Sequence, residues 1–187
     1  MDKRLLNYKI LLLSNSVMSF AIGLFMPFWI VFIQDFGGSI ESFGFAIGLM
    51  SLAQSLTSYY AGKFADRFGR KIFIIIAGFS LTIITIAYTL ITSLWHLYVL
   101  QILIGLTQAI QMVMETTMLG DFTEKINRGT NVGKYHAIVG VLASIAMMVG
   151  GLLAGKVGIN VIFHITAGFF FISSIILFYI KENLKRS

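Results

Sequence analysis

Gln101, Gln108, Gln111 and Glu115 stand inside one long apolar stretch of this 187-residue sequence. With successive residues 100° apart on a helix, the four fall within an arc of about 80° and form a single polar stripe. Their chemistry is narrow: three carboxamides that donate and accept hydrogen bonds, and one carboxylate able to take a proton or a cation. Polar groups facing lipid are costly, so the stripe is expected to face protein or a water-filled cavity. Two readings stand beside each other for the glutamines: a cavity wall, or hydrogen bonds that tie helices together at about 1 kcal/mol per contact. Glu115 is the only acidic residue within an apolar run and lies four residues before Leu119, roughly 6 Å from the end of that run. It is either a proton or cation site, or a carboxylate that snorkels to the interface or meets Lys or Arg of the following loop.

Other chemistry is sparse. There are no cysteines, which excludes disulfides and thiolate metal sites. His96, His136 and His164 have no ligand spacing with one another, so no metal site is expected and interfacial hydrogen bonding is their reading. No phosphate-binding glycine loop, HExxH or serine-nucleophile motif is present, and no cofactor box is visible among the nine methionines and 17 phenylalanines. Neither an enzyme nor a cofactor is expected.

The elements that must carry the stripe are membrane helices. Hydrophobic residues make up 57% of the chain and charged residues 12%, and the mean hydropathy is +0.87, which rules out a water-soluble globular reading. Apolar runs occupy about Ile10 to Ile33, Phe43 to Ala61, Ile72 to Ile91, Leu97 to Leu119, His136 to Ala154 and Val161 to Ile180. About 20 apolar residues span a hydrocarbon core of roughly 30 Å. The expectation is an all-α membrane protein, one bundle of six transmembrane helices over residues 1–187. The first run is too long for a signal-peptide h-region, contains Pro27 and lacks a small-residue cleavage site, so it reads as a retained span.

Charge sets the orientation. Lys3, Arg4 and Lys9 precede the first span, Lys63, Arg67, Arg70 and Lys71 follow the second, and Lys125, Arg128 and Lys134 follow the fourth. Lys181, Lys185 and Arg186 follow the sixth, leaving Lys156 alone on the other side, so 13 of the 14 basic residues share one side. The positive-inside rule then puts both termini in the cytoplasm of a multi-pass cell-membrane protein. The net charge of +6 comes in short blocks between apolar runs, which fits a lipid surface and not nucleic acid. Trp29 and Trp95 fall toward the outer interface and Tyr8, Tyr59, Tyr60, Tyr135 and Tyr179 toward the inner one, as aromatic belts do.

Ala61-Gly62-Lys63 with Ala77-Gly78-Phe79 recurs as Ala154-Gly155-Lys156 with Ala167-Gly168-Phe169, the first pair offset by 93 residues. Two three-helix units, 1–92 and 93–187, would have to be inverted because three is odd. Small residues are common in membrane helices, so chance recurrence is the alternative. Gly140, Ser144, Gly151 and Gly155 share a narrow face of the fifth span, read as a close helix contact, while Ser51, Gln54, Ser55 and Ser58 of the second could meet the first helix or a partner chain.

Between the second and third spans, Gly62, Asp66, Arg67, Gly69, Arg70 and Lys71 form a short loop dense in glycine and charge. In residue types, spacing and position it resembles the signature loop of the major facilitator superfamily, where glycines permit a tight turn and charges meet carboxylates, lipid phosphates or helix ends. Asp121, Arg128-Gly129 and Gly133 resemble the family's loop after the fourth span, and Gly150-Gly151 the paired glycines of the fifth. Gln101 stands where an arginine linked to proton coupling often precedes a glycine, here Gly105, and Ala146-Met147 replaces the Gly-Pro of the antiporter pattern. Because the family has twelve spans, the chain resembles its N-terminal half, a half-bundle of two inverted three-helix repeats.

The resemblance implies a transporter working by alternating access, with the signature loop as conformational switch. It also implies that the first and fourth spans line a central pathway for a small-molecule solute, with a proton or cation a candidate passenger. Asn15 and Ser19 then join Gln101, Gln108, Gln111 and Glu115 on that pathway. The missing half would be a second six-helix bundle, either another copy in a parallel homodimer or the rest of a twelve-helix chain. A non-transporting membrane scaffold with the same fold is the alternative from another class.

Overall fold

The computed structural model describes residues 3–26, 29–34 and 37–181, with the side chains of Ile30, Asp66 and Phe68 outside the description. Every regular element in it is helical: α1 (Lys3–Phe25), α2 (Trp29–Gln34), α3 (Ile40–Phe68), α4 (Lys71–Ala87) followed by a 3-10 turn (Tyr88–Leu90), α5 (Leu94–Phe122), α6 (Arg128–Val157) and α7 (Ile159–Leu177). Five of the described helices are long and apolar enough to cross a bilayer: Lys3–Phe25, Lys71–Leu90, Leu94–Phe122, Arg128–Val157 and Ile159–Leu177. The expected second span lies in α3, which has the length, at 29 residues, but whose serines, Gln54 and glycines dilute its apolar content below that of the other five. The expected first span is two helices, α1 and α2, and Pro27 lies outside the described residues.

Glycines set two of the turns. Gly69 ends α3 at φ 88° and ψ 167°, and Gly158 joins α6 to α7 at φ 81° and ψ 159°, a region only glycine enters without strain. Helices also approach one another at glycines. A Cβ at Gly105 of α5 would run into the Met50 carbonyl of α3, and one at Gly150 of α6 into the Leu24 carbonyl of α1.

The helices pack with α1 against α6 and α7, α5 against α3 and α4, and α4 against α7. Two apolar clusters fill the ends of the bundle. One, around Leu11, Ile74, Met114, Tyr135 and Leu177, lies at the basic end, where Asn7 of α1 meets Lys181. The other, around Trp29, Phe32, Tyr88, Leu97 and Phe163, fills the opposite end, with the Tyr88 and Phe163 rings stacked at 5.4 Å.

Two aromatic assignments need correction. Trp29 is 4% exposed and Tyr135 fully buried, so both are core residues, while Tyr59, Tyr60, Trp95 and Tyr179 are exposed as interface anchors would be. Each corrected ring sits on a helix face that packs inward, which overrides the interfacial preference of its side chain.

Candidate functional site

Apolar residues Trp95, Val99, Ile102, Leu103 and Leu106 take the exposed flank of α5. That choice turns the opposite flank, with the glutamines and Glu115, into the bundle. Gln101 and Gln111 are 2% and 5% exposed, and Gln108 and Glu115 are half-buried.

Three helices meet in one hydrogen-bonded chain. The Tyr135 hydroxyl of α6 donates to Glu115 Oε1 of α5 at 2.9 Å. Asn15 Nδ2 of α1 donates to the Tyr135 oxygen, and Gln111 Nε2 of α5 donates to Asn15 Oδ1 at 3.4 Å. Tyr135 is met edge-on by His136 at 5.4 Å and by a tilted Tyr8 ring at 6.2 Å, and the Tyr8 hydroxyl donates to the Asn131 carbonyl of α6 at 3.0 Å. The Glu115 carboxylate therefore meets a phenol from a neighbouring membrane helix.

The buried carbonyl oxygens Gln101 Oε1 and Gln111 Oε1 have no hydrogen-bond partner among the described residues. Leaving such an acceptor unmet costs about 1–3 kcal/mol, so each is a position where a donor from water or a ligand is stabilised. Ser19 is half-buried one turn beyond Asn15 and is not drawn into the chain; Gln108 is likewise half-buried and outside it.

The signature segment is mostly helix, not loop. Apolar and helix-favouring residues carry α3 through Phe68, and the turn itself consists of Gly69 and Arg70. Gly62 lies inside α3, and a Cβ there would make only ordinary contact with Val113 at 3.9 Å, so close packing does not require glycine at that position. Arg70 pairs with Asp121 near the end of α5. Lys71 Nζ donates to the Phe178 carbonyl at 2.7 Å, satisfying the C-terminal end of α7. Arg67 is exposed, and the Asp66 side chain lies outside the description. The segment thus bridges α3, α5 and α7 at the basic end. A recess of about 460 Å³ between Arg4, Asp121, Glu124 and Arg128 opens at that end, apart from the polar stripe.

The small residues of α6 work differently from their reading in the sequence. Gly140 and Gly155 face open space, and Ser144 is exposed. The buried residues of α6 are Tyr135, Ala146 and Gly150, and these make the seam on α1. Tyr135 is not among the site residues that the sequence points to, although its spacing of 11 and 15 residues from Ala146 and Gly150 places it at the head of that seam.

A helical bundle that turns lipid-compatible flanks outward and closes its amides, hydroxyls and carboxylate on one another is an integral membrane protein. The sequence pattern of the Major Facilitator Superfamily matches residues 11–187, and the chain belongs to that family. It is 31% identical over 160 residues to the MFS-type transporter YitZ of Bacillus subtilis strain 168, covering 86% of this chain and 98% of YitZ. It is also 31% identical over 184 residues to Multidrug resistance protein 2 of the same organism, covering 94% of this chain and 44% of that protein. Multidrug resistance protein MdtG of Salmonella paratyphi C is 27% identical over 180 residues, with 87% and 42% covered. The chain thus spans almost the whole of one relative and less than half of the other two.

Proposed function

We propose that this chain is a solute-transporting half-bundle that forms its pathway with a second six-helix bundle and works by alternating access. The observation that carries the reading is the unequal burial of its helices. α3 packs chiefly on α5, and α6 chiefly on α1, so Ser51 and Ser55 of α3 and Gly140 and Ser144 of α6 remain exposed. Exposed serines on a membrane helix favour a protein or aqueous neighbour over lipid. In this reading α3 is the sixth membrane crossing, both termini are cytoplasmic, and the second bundle covers α3 and α6.

Two three-helix repeats fit the packing. Exchanging the first, second and third long helices for the fourth, fifth and sixth turns the contact of α1 with α6 into that of α5 with α3, and leaves α4 against α7 unchanged. The glycine turns at Gly69 and Gly158 occupy equivalent junctions.

The second bundle is another copy of this chain in a parallel homodimer; the second reading, the N-terminal half of a longer transporter, goes with the 44% and 42% coverage of the two multidrug resistance proteins. Asn15, Ser19, Gln101, Gln108, Gln111 and Glu115 line the pathway, and Gly62, Asp66, Arg67, Gly69, Arg70 and Lys71 form the switch segment. The relatives' names make chemically varied small molecules the first solutes to try.

Uptake into proteoliposomes tests the transport reading. Solute accumulation with a pH dependence that Glu115→Gln abolishes supports it, and a chain that binds and moves none of a broad panel is a scaffold instead. Cysteines at Asp66 and Gly133 in this cysteine-free chain test the homodimer. Crosslinked dimer is expected in native-like lipid, and monomer without crosslinks rejects it.

A further inference from the structure

The hydrogen-bonded chain from Glu115 to Gln111 has a direction, and the charge of Glu115 sets it. An ionised carboxylate only accepts. The Tyr135 hydroxyl must then spend its one proton on Glu115 Oε1, so its oxygen is free to accept from Asn15 Nδ2. That turns Asn15 Oδ1 toward Gln111, which answers with Nε2. What remains at the far end is Gln111 Oε1, buried and unpartnered. The free acceptor at Gln111 is thus the image, two side chains away, of the negative charge at Glu115.

We infer that the chain is a polarity relay: protonation of Glu115 reverses every hydrogen bond in it and exchanges the free carbonyl of Gln111 for a free N–H. In the protonated state Glu115 donates its O–H to the Tyr135 oxygen, and the Tyr135 hydroxyl donates to a flipped Asn15 Oδ1. Asn15 Nδ2 then donates to a flipped Gln111 Oε1, leaving Gln111 Nε2 outward. One proton is taken from water onto Glu115, and no other covalent bond changes. Tyr135 and Asn15 are positioning residues in this device, and Gln111 is the specificity-determining one. A solute bearing N–H groups is held at Gln111 when Glu115 is charged, and one bearing only acceptors when it is neutral. That last step rests on the transport reading, whereas the relay itself does not.

The groups that bear on Glu115 can be named. α6 contributes Tyr135 and His136, and α1 contributes Tyr8 through its ring contact with Tyr135. α4 packs Ile74 and Ile75 into the apolar cluster that holds Met114, the residue before Glu115, and the cations Lys63 and Arg67 of α3 are exposed at the basic end. His136 is the ionisable neighbour next in sequence to Tyr135, and His136→Gln removes it.

Infrared difference spectroscopy on the chain in lipid nanodiscs, titrated with pH and labelled with ¹³C at the glutamine side-chain carbonyls, reads the relay directly. Expected is a labelled glutamine band that shifts with the same midpoint as the protonated-carboxyl band, in the wild type and in His136→Gln. Glu115→Gln removes both changes and Gln111→Leu removes the glutamine change. Tyr135→Phe and Asn15→Leu keep the carboxyl titration and lose the glutamine shift; two independent breaks guard against either variant failing to fold. A carboxyl that titrates with no glutamine shift, a shift that survives Tyr135→Phe in folded protein, or no carboxyl titration at all overturns the inference. Transport failing while the shift is seen would reject the transport reading and leave the relay intact.

Discussion

Ser14 and Ser173 hold each other reciprocally: each hydroxyl donates to the other residue's backbone carbonyl at 2.9 Å, across 159 residues of chain. Both are fully buried, so α1 and α7 are joined at mid-bundle by small side chains that leave their backbones close. Ser14→Ala and Ser173→Ala are each expected to lower stability by about 1 kcal/mol. The double variant should lose less than the sum, because the two hydroxyl oxygens also lie within hydrogen-bond distance of each other, at 2.9 Å. Denaturant unfolding in detergent micelles measures all three, and strict additivity would show that the hydroxyls act independently.

Glycine substitutions should separate real helix contacts from apparent ones. Gly105→Ala and Gly150→Ala place a Cβ against backbone carbonyls of α3 and α1, and should destabilise by about 1–3 kcal/mol. Gly140→Ala and Gly155→Ala point into open space and should stay within about 0.5 kcal/mol of the parent in the monomer. Melting temperatures of the four variants give the comparison, and equal losses would refute the packing described for α6.

The Arg70–Asp121 pair is expected to matter little for stability. Its side chains are 25% and 58% exposed, and exposed pairs contribute about 0.2–1 kcal/mol with screening by salt. Asp121→Asn should lower the melting point slightly at low ionic strength and not at about 1 M salt, where the Debye length is about 3 Å. A large, salt-independent loss would mean the pair is held in a far less solvated setting.

Orientation has its own test. A reporter fused after Ser187 should lie in the cytoplasm, since 13 of the 14 basic residues fall on the side it follows. Fusions at Thr92 and Gly158 should report the opposite side. An external C-terminus would sink the orientation and the transporter geometry built on it.

Hydropathy makes five crossings legible because apolar content is a local property of about 20 residues. α3 is harder: Ser51, Gln54, Ser55 and Ser58 are intelligible only as groups with a protein or aqueous neighbour. The inward turn of the α5 stripe follows from its own periodicity, so Gln101 and Gln111 could be placed from sequence. Their partners could not. Tyr135, just ahead of an apolar run, is locally indistinguishable from an interface anchor, and only the approach of α6 to α1 at Gly150 carries its ring between Asn15 and Glu115. Gly62 shows the converse, a residue whose motif position is conspicuous and whose packing would admit a Cβ.

The same long-range pairing orders events in time. Asn7 closes both its amide donor and its carbonyl on the backbone of Lys181, 174 residues away, just as Ser14 waits for Ser173. A ribosome delivers α1 well before α7, so α1 enters the bilayer carrying polar groups whose partners are made 159 and 174 residues later. During synthesis that helix is an unfinished surface, one that chaperones, insertion machinery or water must occupy until α7 arrives. Any chain truncated before α7 keeps that surface open, which makes the first helix a built-in marker of incomplete assembly.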